Sequence, residues 1–256
     1  MSSKIFTRIA TFLLALAILP ATLSAQAFDK GPELDKSKEY YALIVTSMGN
    51  VALKLYAEEA PITVRNFVNL AEGTASFKDP KTSETTKRPY FNGVLFHRVI
   101  GGFMVQTGDP MGTGQGGPGF TIQDEFRPAL TFAEPGVLAM ANTGRPSSGG
   151  SQFFITDVPT PHLNQKHTIF GKIVDGTDGL AIVKKITAAP QGANNRPLKD
   201  IRMERVQIFR LEKGLPASDA AARILGGAAA TPEPTKPAEP EAAAEPTTAA
   251  PTTAAP

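Results

Sequence analysis

Between residues 38 and 212 the apolar residues fall into short runs of four to nine, separated by turn-forming residues such as Gly, Pro, Asn and Asp. Runs of this length, rich in Val, Ile and Phe, predict strands. Tyr40–Thr46 and Val51–Tyr56 are joined by four residues that suit a hairpin connection. Only Pro61–Leu70 and residues 178–186 have apolar residues at helical spacing. Eight short strands and two helices predict a mainly β fold, an antiparallel barrel or sandwich capped by helices. The other predicted strands are Val94–Val99, Phe103–Thr107, Val137–Asn142, Phe153–Thr156, Thr168–Val174 and Ile201–Phe209.

The first 27 residues have the pattern of an export signal. Lys4 and Arg8 form a short basic head, and a mostly apolar run of eleven residues, Ile9–Leu19, follows. Ala25-Gln26-Ala27 then matches a signal-peptidase site. A helix of eleven residues is about 16 Å long, whereas the membrane core is about 30 Å thick, so a spanning anchor is disfavoured. We expect cleavage near Ala27 and a mature chain in the periplasm or outside the cell.

Residues 226–256 consist almost entirely of Ala, Pro, Thr, Glu and Gly, with seven prolines in 31 residues. Such a segment buries too little apolar surface to offset the entropy of ordering it, so we expect a disordered tail. The sequence therefore predicts a signal peptide (1–27), a leader of the mature chain (28–37), a folded domain (38–212), a short linker (213–225) and the tail (226–256).

The composition excludes several kinds of site and partner. The chain has no Cys, which excludes disulfides, thiolate zinc sites and cysteine nucleophiles. Residues 28–225 hold 23 Lys and Arg against 20 Asp and Glu, without a basic run, so we expect no nucleic-acid partner. No other segment approaches 18 consecutive apolar residues, so we expect no stable membrane insertion.

Gly114–Gly119 formally fits the G-x-G-x-x-G pattern of a dinucleotide-binding loop. That loop must follow a strand and begin a helix whose amides bind phosphate. Here Pro118 and the strand-like Phe120-Thr121-Ile122 take the place of a helix. A mobile or tightly turning surface loop is the better interpretation.

The three histidines give little support to metal binding or hydrolysis. His162 and His167 are five residues apart, which suits neither a helix nor a strand pairing, so we expect no metal site. Ser151, His97 and Asp109 could be assembled into a hydrolase triad, but no nucleophile-elbow motif is present.

Arg98 lies between apolar residues in the predicted strand Val94–Val99. Alternation would put it on one face with Val94 and Phe96, with His97 on the other. An unpaired guanidinium in apolar surroundings is costly, so Arg98 either forms a structural ion pair or projects into a binding groove.

Four blocks in order resemble the signature of cyclophilin-type peptidyl-prolyl isomerases. The first runs from Phe96 to Asp109 and contains FHRVI followed by GFMVQTGD. The others are Leu138–Asn142, Gly150–Ile155 and Lys166–Lys172. Together with the hairpin and the first helix, the resemblance spans roughly residues 38–210.

The resemblance implies a closed eight-stranded antiparallel β-barrel with a helix capping each end. It also implies cis/trans isomerisation of X-Pro bonds, without a cofactor, a metal or a covalent intermediate. Arg98 would then be the catalytic residue. The resemblance places the proline pocket at Phe103, Met104, Phe154 and Leu163. The residues that would border the pocket or hold the peptide backbone are Gln106, Ala141, Asn142, Gln152 and His167. A loop beside the groove would contain Gly112 and its neighbours.

One position departs from well-known members of the family, because His162 stands where several of them have Trp. That Trp contributes to binding the cyclic peptide cyclosporin, so reduced cyclosporin binding is expected here. The resemblance implies a monomer that acts on proline-containing segments, which the export signal would place in exported proteins.

Two other classes of function stay open at this point. A peptide-binding chaperone could use the same groove without catalysis, although it would not need the Arg98 placement. A structural envelope protein tethered through residues 226–256 is the third alternative, and no charge run or anchor supports it.

Overall fold

The computed structural model describes residues 28–229, with side chains to residue 227. The predicted signal peptide and residues 230–256 of the predicted tail lie outside the described residues. Among residues 28–229, no helix is long and apolar enough to cross a membrane. In chain order the strands are β1 (Lys38–Thr46), β2 (Gly49–Leu55), β3 (Phe77–Lys78), β4 (Thr85–Thr86), β5 (Val94–Leu95), β6 (Arg98–Ile100), β7 (Met104–Thr107), β8 (Val137–Met140), β9 (Phe153–Thr156), β10 (Ile169–Ile173) and β11 (Arg202–Glu212). The helices are α1 (Pro61–Glu72), α2 (Gly179–Thr187) and α3 (Ala217–Ala229).

Nine of the described strands form one antiparallel sheet in the order β5-β11-β1-β2-β10-β8-β9-β7-β6. Its two edge strands, β5 and β6, are separated in the chain only by Phe96 and His97. The segment 94–100 therefore connects the two edges, and the sheet curls into a barrel. The predicted mainly β, antiparallel, barrel-like fold is confirmed. The predicted eight closed strands are approximate, because the predicted strand Val94–Val99 is two short strands with different partners.

This break also corrects the predicted alternation around Arg98. Val94, Phe96 and Val99 all pack in the main core. Phe96 and Val99 are three residues apart and would face opposite sides of one regular strand, so the irregular pair Phe96-His97 shifts the alternation. Arg98 then lies on the face opposite to Val94 and Phe96.

Both predicted helices are present and pack into the core. α1 begins at Pro61, whose missing N–H costs nothing in a first turn, and it ends at Gly73 in the left-handed region (φ 73°). Phe67 of α1 contacts the rings of Phe91, Phe153 and Phe170 at centroid distances of 5.2–5.5 Å. These rings fill the barrel interior.

The start of α1 is capped from a distant part of the chain. The buried Glu125 carboxylate accepts hydrogen bonds from the backbone N–H groups of Ile62 (3.1 Å) and Thr63 (2.8 Å). It satisfies donors that a first helical turn leaves free, and its charge suits the positive end of the helix.

The predicted leader, residues 28–37, packs against α1. Asn69 Nδ2 donates to the carbonyls of Lys30 and Pro32, both at 2.8 Å, and Arg65 donates to the Gly31 carbonyl at 2.6 Å. These residues therefore extend the folded unit beyond β1.

The sequence analysis does not predict α3. This helix covers most of the predicted linker 213–225 and the first four residues of the predicted tail. Ala220, Ala221 and Ile224 are buried against Tyr41 and Leu43 of β1 and neighbouring residues. Burial of this apolar stripe stabilises a helix whose Ala-rich sequence carries few large apolar residues.

The packing of α3 gives a prediction about stability. Ile224 is fully buried, whereas its neighbour Leu225 is 39% exposed. Ile224→Ala is expected to lower the free energy of unfolding by about 2–4 kcal/mol, because it leaves a cavity. Leu225→Ala, the matched control, is expected to cost less than about 1 kcal/mol. Urea unfolding of the full chain measures both, and equal effects would contradict the described packing.

Candidate active site

One row of side chains crosses four neighbouring strands on the outer face of the barrel. Arg98 of β6 lies opposite Gln106 of β7, which lies opposite Phe154 of β9, which lies opposite Ala139 of β8. Directly opposed residues in antiparallel strands place their side chains on the same face. The register therefore brings Arg98, Gln106 and Phe154 together.

An apolar pocket lies next to this row. Met104 and Phe154 are buried in an outer cluster that is separate from the barrel core, and Phe103 and Leu163 pack against it half-buried. Phe132 completes the floor, with its ring 6.0 Å from Phe154 and nearly parallel to it. The four residues predicted for the proline pocket thus belong to one cluster. Phe132 was missed, because it lies in a segment without a strand or helix pattern.

A chain of hydrogen bonds joins Arg98 to a glycine-rich loop. Arg98 Nη1 donates to Gln106 Oε1 at 3.3 Å, and Gln106 Nε2 donates to Gln152 Oε1 at 2.9 Å. Gln152 Nε2 in turn donates to the carbonyls of Gly114 and Gly116, both at 2.9 Å. Among residues 28–229 the Arg98 guanidinium has no ion-pair partner. Arg98 therefore does not form the structural ion pair that the sequence left open as an alternative.

The buried Asp109 carboxylate organises that loop. It accepts hydrogen bonds from the backbone N–H groups of Met111 (2.8 Å), Thr113 (2.9 Å) and Gly114 (2.7 Å). Burial by itself would raise the pKa of Asp109, but the N–H donors, including that of Gly116, outweigh it and the pKa is lowered. Asp109 was considered in the sequence only as a triad member. The signal that it starts a turn was the Asp-Pro-Met-Gly sequence.

Within the loop, Gly114 rather than Gly112 borders the groove. Gly114–Gly119 line a cleft of about 680 Å³ together with Gln106, Ala141, Asn142 and Gln152. Gly112 lies against Leu95, and its carbonyl accepts a hydrogen bond from Arg196 at 3.2 Å. The resemblance implies that Gly112 lies in a loop beside the groove, and Gly112 lies in this loop two residues before Gly114.

His167 borders the apolar pocket on the side opposite the loop. Its ring meets Phe154 edge-on at 5.2 Å, and its Nδ1 donates to the Met140 carbonyl at 2.9 Å. A carbonyl only accepts, so Nδ1 carries the hydrogen and Nε2 is left as an acceptor. Burial lowers the pKa of His167, which keeps the ring neutral at neutral pH.

Asn142 and His162 occupy the rim. Asn142 Nδ2 donates to the Lys166 carbonyl at 2.8 Å, which leaves the Asn142 backbone at the edge of the groove. The His162 ring stacks on Phe103 at 5.7 Å, within the short 3₁₀ turn Pro161–Leu163.

The hydrolase triad does not form. Ser151 is buried, donates to the Gly108 carbonyl at 2.7 Å and contacts the Tyr90 hydroxyl at 3.0 Å. His97 is buried under the loop, and burial lowers its pKa. The described part of the chain has no group of three or more His, Asp or Glu side chains that could hold a metal ion.

The fold and the site define a class of protein. An apolar pocket on the outside of a β-barrel, flanked by amide side chains and by an arginine without an ion pair in the described part of the chain, suits a peptide with a small apolar ring. The model of the family "Cyclophilin type peptidyl-prolyl cis-trans isomerase/CLD" matches residues 41–208. The chain belongs to the cyclophilin-type peptidyl-prolyl isomerase family.

Individual relatives agree with this assignment. Peptidyl-prolyl cis-trans isomerase A of Mycobacterium tuberculosis is 46% identical over 167 residues, which cover 65% of this chain and 91% of that protein. Peptidyl-prolyl cis-trans isomerase B of Streptomyces anulatus is 46% identical over 173 residues, covering 67% and 98%. A crystal structure of a Cryptosporidium parvum cyclophilin type isomerase has a TM-score of 0.57 and 31% identity, covering 67% of this chain and 98% of its own. A second structure of that protein was determined in the presence of the dipeptide Ala-Pro.

The Asp109 turn predicts a sharp difference between two adjacent glycines. A Cβ at Gly116 would lie 1.9 Å from Asp109 Oδ1, whereas one at Gly117 would meet nothing within 4 Å. Gly116→Ala is expected to displace the carboxylate from its N–H donors and lower the free energy of unfolding by about 1–3 kcal/mol. Gly117→Ala is expected to stay within about 0.5 kcal/mol of the parent.

Urea unfolding gives these energies, and amide hydrogen exchange at Thr113 and Gly114 reports the loop directly. Faster exchange is expected only in Gly116→Ala. Unchanged exchange in that variant would refute the role of Asp109 in holding the loop.

Proposed function

We propose that this chain accelerates rotation about X-Pro peptide bonds in exported proteins and so assists their folding, with Arg98 as the catalytic residue. One observation carries the assignment of Arg98: its guanidinium has no ion-pair partner within residues 28–229, donates to Gln106 and lies at the edge of the apolar pocket. Family membership supports the activity, and the N-terminal signal pattern supports exported substrates.

The apolar pocket binds the proline ring. Phe103, Met104, Phe154 and Leu163 form an apolar cluster without a charge, which suits the largely apolar five-membered ring of proline. The amide groups of Gln106, Gln152 and Asn142 then hold the flanking peptide by hydrogen bonds. The proline ring is thus held in the pocket and the flanking peptide is held by the amide groups. The X-Pro bond between these two contacts is the one that rotates.

Rotation removes amide resonance and has a barrier of about 20 kcal/mol. In the twisted state the proline nitrogen is pyramidal and more basic than in the planar amide. A guanidinium has five N–H donors, and Arg98 uses one of them on Gln106. Another can hydrogen-bond the proline nitrogen better in the twisted state than in the planar state, and that difference is what accelerates a reaction.

These contacts can provide the acceleration that catalysis requires. Uncatalysed isomerisation takes tens of seconds, so a turnover of about 100–1000 per second requires a barrier lower by about 5–7 kcal/mol. A charge-assisted hydrogen bond from a preorganised donor contributes several kcal/mol in a partly dry site. A better fit of the pocket to the twisted peptide than to the planar peptide supplies the rest. No nucleophile, metal or cofactor takes part in this mechanism.

The Arg98 assignment predicts a loss of catalysis with binding retained. Arg98→Ala is expected to lower the rate of cis-to-trans exchange of an X-Pro-Phe peptide at least tenfold, because the twisted nitrogen loses its donor. NMR line shapes on the full chain measure the exchange, and peptide chemical shifts measure binding.

Arg223→Ala, on the exposed side of α3, is the matched control and is expected to retain the parent rate. A parent protein that binds the peptide without accelerating exchange would refute the enzyme and favour the peptide-binding chaperone. Equal rates for Arg98→Ala and the parent would refute the role of Arg98 alone.

Reduced cyclosporin binding belongs to the same proposal. His162 stacks on Phe103 and offers less ring surface than Trp would. His162→Trp is expected to raise cyclosporin affinity about tenfold, about 1.4 kcal/mol, because the larger ring adds apolar contact and an N–H donor. Titration calorimetry measures both proteins, and the Phe103→Ala background tests whether the gain depends on the stacked pair. An unchanged affinity would contradict the prediction.

We further propose that the protein acts as a monomer in the periplasm or outside the cell. Export depends on residues 1–27 and is tested by fractionating cells that produce the full chain.

A further inference from the structure

A second cleft, of about 460 Å³, lies beside the first one and shares Asn142 with it. Its wall also includes His167, whose ring contacts Phe154 in the apolar pocket. A peptide that leaves the proline pocket past His167 or Asn142 therefore enters this second cleft. We call it the basic cleft, for Arg145 and Lys166 in its lining.

The charges distinguish the two clefts. The lining of the first cleft is uncharged and consists of residues such as Gln106, Thr121 and Gln152. The basic cleft is lined by Arg145 and Lys166, both exposed, and by Asp124, which is half-buried. Within residues 28–229, neither Arg145 nor Lys166 has a side-chain ion pair or hydrogen bond.

The one acidic residue in the lining of the basic cleft, Asp124, accepts a backbone hydrogen bond. Asp124 Oδ2 accepts the backbone N–H of Ser147 at 2.7 Å, so one oxygen of this carboxylate is bound to the turn. The lining of the basic cleft therefore carries two cations against one acid. Phe126, half-buried in the same lining, adds an apolar surface.

The turn that bears Arg145 is held by its own hydrogen bonds. The Ser148 hydroxyl accepts from the Thr143 N–H at 3.1 Å and donates to the Arg145 carbonyl at 2.7 Å, and Asn142 Oδ1 accepts from the Gly144 N–H at 3.0 Å. Such a turn loses little freedom when a ligand binds.

The segment that bears Lys166 is held as well. The neighbouring Gln165 donates to the Arg127 carbonyl at 3.1 Å, and Asn142 donates to the Lys166 carbonyl at 2.8 Å. Both cations thus project from fixed backbone next to the proline pocket.

We propose that the basic cleft binds an acidic side chain of the substrate, a few residues from its proline, and gives the enzyme a preference for such segments. The proposal rests on the proposed function, because the proline pocket positions the segment. The carboxylate of a Glu or Asp pairs with Arg145 and Lys166, and the methylene groups of the side chain contact Phe126.

The expected preference is modest and depends on salt. Exposed ion pairs are weak and are screened at high ionic strength, so two cations are expected to favour Glu over Gln about three- to tenfold at low salt. In 0.5 M NaCl the preference is expected to fall to about twofold or less.

The test is a set of matched X-Pro-Phe peptides in which one residue, at each position up to three before or after the X-Pro-Phe core, is either Glu or Gln. The full chain, Arg145→Gln, Lys166→Gln and the double variant are compared by the Glu/Gln ratio of exchange rates and of binding constants from NMR. The proposal is supported if one position gives the expected ratio and the double variant brings that ratio to about one. Arg223→Gln, on α3, removes an exposed cation from another surface and is expected to keep the parent ratio.

Two outcomes would overturn the proposal: a ratio near one at every position in the parent, or a ratio that the double variant leaves unchanged. Failure of the proposed function looks different, because the parent would then bind the Gln peptides without accelerating their exchange. The Glu/Gln ratio of binding constants still tests the basic cleft in that case.

Discussion

The site depends on burial of both faces of β7, β8 and β9. Val105, Leu138, Phe153 and Ile155 pack into the barrel core, and the alternate residues Met104, Ala139 and Phe154 form the outer cluster. A one-residue slip would exchange these two sets and bring Phe153 to the pocket. The register that fixes the core therefore also fixes the pocket, and it places Arg98 and Gln106 next to it.

The polar side of the groove has a different origin. No strand register positions the carbonyls of Gly114 and Gly116, which lie in a loop without regular structure. A single buried carboxylate, Asp109, gathers the N–H groups of that loop and so directs its carbonyls toward Gln152. Hydrogen bonds of a charged group inside a protein are strong, so one residue can hold a turn that packing does not.

Most of the fold could be predicted from the sequence, because strand alternation and helical spacing are local patterns. The site residues came from motif resemblance, and the register then brings most of them together. Three features of the structure could not be predicted from local sequence patterns. The break at Phe96-His97 reflects closure of the barrel, α3 is stabilised by a surface of β1 far away in sequence, and Phe132 enters the pocket from an irregular segment. Each depends on a tertiary contact that no short window of sequence contains.

The position of α3 has a consequence for attachment. In the sheet order, β1 and β2 lie about halfway round the barrel from β7 and β9, and α3 contacts β1 and β2. The helix therefore lies on the side of the barrel that faces away from the groove. A protein immobilised on a bead or a sensor chip through a residue on the exposed side of α3 would keep its groove oriented toward the solution.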